Sequence, residues 1–197
     1  MRPGASPRKS NAWRWGGRLS VVSLTVLFGL LVLLFAVIGA MRGWAKELLV
    51  TSAIILALFI LQILEVHIQP YYAALILQPP GTQFAIRATL IVLLTFFGYQ
   101  TPQIRALQPK LARERLQDVL LGFFMGALNG YLLFGSIWFY LHAANYPTPW
   151  VQMPAEGSEL YEQISNLVGM LPPELLPIPQ LYFAVGVVFV FIIVVFV

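Results

Sequence analysis

The chain has no cysteine. Disulfides, thiolate metal sites and cysteine nucleophiles are therefore excluded. Charge is almost as scarce. Only 10% of the 197 residues are Asp, Glu, Lys or Arg, where a soluble chain carries about a quarter. A water-soluble domain of this size could not hide the 59% of residues that are hydrophobic, so the useful count is membrane spans, not soluble domains. The signatures of catalysis are missing as well. No Gly-x-Ser-x-Gly, phosphate loop, His-Glu-x-x-His or carboxylate pair at membrane depth occurs. No enzyme and no cofactor are expected. Beyond residue 18 there is no basic patch interleaved with exposed aromatics, so nucleic acid is not an expected partner.

What is present is a set of long apolar runs. Five of them, 19–41, 48–66, 84–99, 119–141 and 181–197, approach the length that crosses a membrane, which is about twenty apolar residues for a hydrocarbon core of about 30 Å. The run at 84–99 is short and is expected to extend back toward Thr82. The pattern predicts an all-α, polytopic transmembrane bundle of about five spans. Its expected parts are a basic tail (1–18), a four-helix membrane core (19–141), an extramembrane loop (142–180) and a C-terminal transmembrane helix (181–197). The basic tail and first run resemble a secretory signal, but an h-region is usually about 7–15 residues, so the first run is expected to be retained.

The loop 142–180 has four glutamates and no basic residue. Within it Leu160, Ile164, Leu167, Val168 and Leu171 recur at helical spacing. Ser158 is the expected N-cap, Glu159 and Glu162 favour the first turn, and Pro172–Pro173 are expected to stop the helix. Such an amphipathic helix lies along the membrane surface or packs onto the bundle end. Trp13, Trp15, Trp44, Trp138, Tyr140 and Trp150 cluster near span ends and read as the interfacial aromatic belt.

Gly122, Gly126 and Gly130 fall every fourth residue inside the fourth run. Residues four apart share a helix face, so the glycines form a flat strip. In lipid such a strip lets another helix backbone approach closely. With the Gly39–Gly43 step they are the expected helix-packing residues. Few polar residues lie at depth. Glu65 and Arg87 end the second run and open the third, so antiparallel neighbours would bring them to one membrane face, as an ion pair or as ligands. Asn129 lies beside the glycine strip and needs a hydrogen-bond partner there. Thr89, Thr95 and Ser136 can bond back to their own helix. His67 and His142 end the second and fourth runs on one side, as interfacial histidines or as two ligands of a shared site.

Two stretches together resemble the colicin V production protein family. One is Ile38-Gly39-Ala40-Met41-Arg42-Gly43-Trp44-Ala45-Lys46-Glu47-Leu48-Leu49, similar to the family's turn after the first helix. The other is Asp118-Val119-Leu120-Leu121-Gly122-Phe123-Phe124-Met125-Gly126-Ala127-Leu128-Asn129-Gly130, which looks like the start of its fourth helix. With the helix after Ser158, the resemblance covers residues 19–177 or so. Asn129 stands where the family often shows a basic residue, and the run 181–197 adds a span to the family's common four. The resemblance implies a non-catalytic protein with a role in export or envelope maintenance. An accessory subunit of a larger respiratory, photosynthetic or secretory complex fits the same residues, and a small channel or transporter is a third reading. Expected partners are the lipid bilayer and other transmembrane helices, in a homo-oligomer or a larger complex.

Placement in the bacterial cytoplasmic (inner) membrane is the expectation. Alternation puts five basic residues of the tail on one side and six of the first and third connections on the other. Counted over connections alone the split is six to none, so segments 40–47 and 100–118 are expected to be cytoplasmic.

Overall fold

The computed structural model describes residues 19–100, 114–147, 151–153 and 155–196. The expected all-α, polytopic bundle is what it contains. Its helices are α1 (Val21–Arg42), α2 (Trp44–His67), α3 (Gln69–Ile76), α4 (Pro80–Tyr99), α5 (Glu114–Ala143), α6 (Glu159–Val168), α7 (Pro172–Leu175) and α8 (Gln180–Phe196). A two-residue parallel pairing of Leu19–Ser20 with Val151–Gln152 ties the start of α1 to the loop after α5. Among the described residues four helices, within α1, α2, α4 and α5, are long and apolar enough to cross a membrane. The fifth, α8, has 17 residues, the lower end of the spanning range of about 17–25.

α2 is the central element, packed on α4, α5 and α8. Its buried face is Val50, Ile54, Ala57, Leu58 and Leu61, the spacing of one stripe on a 3.6-residue helix. Ile91 of α4, Leu132 and Leu133 of α5 and Leu181 and Val188 of α8 close on that stripe. α1 leans instead on α5, along most of its length.

Proline marks several helix starts. α4 opens at Pro80, two residues before the expected boundary, and Pro70 sits in the first turn of α3. Proline lacks an N–H that the first turn would leave unpaired anyway, and its fixed φ suits that turn. The connection 67–83 therefore carries a helix that its Pro and Tyr content did not suggest. The amphipathic helix also ends sooner than expected. It stops at Val168, capped by Gly169, and Pro172 opens the one-turn α7 instead of ending α6. Its start is as the residues indicate, with Ser158 Oγ accepting the Tyr161 amide at 3.2 Å. Ile164 and Val168 bury against Trp138, Tyr146 and Leu171, so α6 is seated on the bundle end. The basic connection 100–118 falls largely outside the described residues, although α5 already includes Glu114 and Asp118.

Candidate functional site: a junction of two motifs

The two segments quoted for their motifs meet. α1 and α5 run antiparallel with their backbones in contact, and glycine is what allows it. A Cβ placed on Gly39 would fall on the Gly122 carbonyl oxygen and 2.7 Å from the Gly126 Cα. One on Gly126 would meet the Phe35 carbonyl oxygen, and one on Gly130 would lie 3.0 Å from the Val32 Cα. These neighbours are backbone atoms that no rotamer change can move aside. The strip thus serves as a seam.

At the end of the seam the chain turns from α1 into α2 through Gly43, whose φ of 89° favours glycine. Gly43 provides no side-chain cap for α2. Asp118 of α5 supplies one from across the seam, its Oδ1 accepting the Trp44 amide at 3.1 Å. A carboxylate at a helix N-terminus also meets the positive end of the helix dipole.

Just inside this turn lies Glu47, fully buried. Arg42 Nη1 donates to its Oε1 at 3.0 Å, and Asn129 Nδ2 donates to its Oε2 at 2.8 Å. The same Asn129 amide reaches the Glu47 carbonyl oxygen at 3.0 Å. Thr51 donates to Asn129 Oδ1 at 2.7 Å, which uses the remaining acceptor. Arg42 further lies 4.3 Å from the Tyr99 ring centroid, and its Nη2 donates to the Tyr99 carbonyl oxygen at 3.4 Å. The Tyr99 hydroxyl is buried alongside and has no well-formed hydrogen bond among the described residues. One carboxylate thus joins α1, α2 and α5, and its arginine adds α4. Low dielectric strengthens such a network and penalises any member left unpaired.

Asn129 has the interhelical partners that its position calls for. Glu47, the acceptor, was not singled out among the expected site residues. In the sequence it reads as one more charge of a basic turn, and only the crossing of α5 over α2 buries it. Gly98 was missed in the same way; a Cβ there would lie 2.6 Å from the Ala53 Cβ and 3.2 Å from the Val50 Cα, so it sets the approach of α4 to α2.

Glu65 and Arg87 come together at the opposite end. Arg87 Nε donates to Glu65 Oε1 at 2.8 Å and Nη2 to Oε2 at 3.3 Å, a two-pronged pair between α2 and α4. Arg87 also faces the Tyr140 ring at 5.5 Å. Tyr71 of α3 packs nearby, and burial, then the Glu65 charge, raises its phenol above the ordinary value. Among the described residues no hydrogen bond links His67 to His142. His142 Nδ1 lies 3.2 Å from the Tyr146 hydroxyl, which accepts from Trp138 Nε1 at 3.1 Å. Among the described residues no cluster of His, Asp and Glu is arranged to hold a metal. Thr95 and Ser136 bond back to the carbonyls of Ile91 and Leu132.

The sequence pattern of the colicin V production protein family matches residues 24–169. The chain belongs to that family. The match spans both halves of the junction and reaches just past α6, leaving α8 outside it. No curated protein and no solved structure matches the chain. As a family member with several apolar spans it is a multi-pass membrane protein.

Proposed function

We propose that this chain is a non-catalytic helical scaffold with a role in export or envelope maintenance, in the bacterial cytoplasmic membrane. The observation that carries this reading is the use made of the buried ionisable groups. Glu47 is saturated by Arg42 and Asn129, and Glu65 by Arg87. Groups committed to one another in this way hold helices together and offer no free base, nucleophile or ion path. Family membership supports the same direction.

The partners of such a scaffold are other transmembrane helices, in a homo-oligomer or in a larger complex. Extraction in mild detergent followed by native gel separation tests the choice. Migration in a large assembly is the expected result for an accessory subunit, and migration as a small homo-oligomer would sink it. Orientation follows from the connections, with segments 40–47 and 100–118 cytoplasmic. A reporter enzyme active only in the cytoplasm, inserted between residues 101 and 113, should be active; a silent reporter would reverse the topology.

A further inference from the structure

A cleft of about 680 Å³ opens beside the α1–α2 turn, lined by residues of α1, α2 and α5. Its size falls within the range of about 300–1,000 Å³ typical of small-ligand sites. Arg42, Lys46 and Asp118 line it at the turn, with Val37, Met41 and Phe123 among its apolar walls. Val37 and Phe123 each lie five residues further into their helices than Arg42 and Asp118, a rise of about 7 Å. The cleft is thus charged at the membrane edge and apolar toward the membrane interior.

Its charges are not equally free. Arg42 is held by Glu47, and Asp118 accepts the Trp44 amide. Lys46 has no ion pair among the described residues. The amides of Ala45 and Lys46, in the first turn of a 24-residue helix, likewise find no acceptor among those residues. The Lys46 ammonium and two amides are therefore unpaired at the charged edge of the cleft, beside the Asp118 carboxylate that caps Trp44 and above an apolar wall suited to an acyl chain.

We infer that this cleft binds one anionic glycerophospholipid, with its phosphate on Lys46 and the first turn of α2 and a chain along Val37, Met41 and Phe123. The lipid, rather than free phosphate, is the occupant because the apolar wall continues from the cationic end. This goes beyond the scaffold reading and does not depend on it.

Native mass spectrometry of the delipidated full chain in detergent tests the inference. The probes are phosphatidylglycerol, diacylglycerol with the same chains, and inorganic phosphate. One bound phosphatidylglycerol is expected, with neither of the others retained. Lys46→Gln should weaken retention about five- to tenfold, and Lys46→Arg should restore it. Val37→Asn, on the exposed side of α1, should weaken retention independently and decides the matter if Lys46→Gln does not fold. Equal retention of diacylglycerol, binding of phosphate without lipid, or wild-type retention by Lys46→Gln or Val37→Asn would overturn it.

Discussion

Among the described residues each end of the bundle holds one ion pair, and the two pairs are built differently. Glu47 is fully enclosed and receives Arg42 on one oxygen and Asn129 on the other. Glu65 and Arg87 keep 22% and 13% of their side-chain surface exposed and link α2 to α4. The first pair depends on the glycine seam, because α5 must cross close to α1 and α2 before Asn129 can reach Glu47. The second needs only the short excursion from α2 through α3 to α4. One pair is a consequence of long-range packing, the other of local chain reversal. Damage at the seam should therefore propagate into the Glu47 network and spare the far end.

The largest expected effect is at the seam itself. Gly126→Leu drives a side chain into the Phe35 backbone, and the mutant should lose its monodisperse peak in fluorescence-detected size exclusion. Gly29→Leu makes the same change on α1 where nothing lies within 4 Å; it should behave as wild type. Next comes Glu47→Ala, which takes the carboxylate away from the half-buried Arg42 and the buried Asn129 amide and leaves each with a backbone carbonyl alone. Breaking a buried pair costs about 3–5 kcal/mol, and a clear fall in the thermal midpoint should follow. A midpoint equal to that of wild type would remove the network from the account.

The far end should respond less. Glu65→Arg or Arg87→Glu alone loses charge-assisted hydrogen bonds worth about 1.5–3 kcal/mol, and the double exchange should recover most of the loss. No recovery would mean that the pair is held by its surroundings instead of by charge. The smallest change is expected from Asn129→Lys, since position 129 faces the Glu47 carboxylate and a cation there is complementary. Asn129→Leu should cost about 0.6–2 kcal/mol. If Lys is worse than Leu in a thermal scan, the carboxylate does not govern that position.

The sequence was legible where the physics is local. Apolar runs mark the spans, four-residue spacing puts Gly122, Gly126 and Gly130 on one face, and Ser158 with its following glutamates marks the start of α6. Glu65 and Arg87 stood out because each interrupts apolar surroundings. What could not be read depends on tertiary contact. Glu47 looks solvated until α5 covers it, and Gly98 is a lone glycine until Ala53 and Val50 are set beside it. Gly135 is similar, with Pro172 of α7 2.6 Å from where its Cβ would be. Proline misled in the other direction. Pro70 and Pro172 suggest breaks by composition but open helices, because a first turn has no use for their missing amide.

The seam itself can be tested by cross-linking, and the absence of cysteine makes the background clean. A Cβ on Gly130 would lie 2.9 Å from the Phe35 Cβ, and a disulfide spans about 3.5–4.5 Å between these atoms. The Phe35→Cys, Gly130→Cys pair should therefore close with a small shift when membranes are treated with a mild oxidant. Closure should protect both thiols from alkylation within one chain. A Gly29→Cys, Gly130→Cys pair should remain reduced. If the first pair stays fully alkylatable after oxidation, α1 and α5 do not meet along the glycines and the junction described here is wrong.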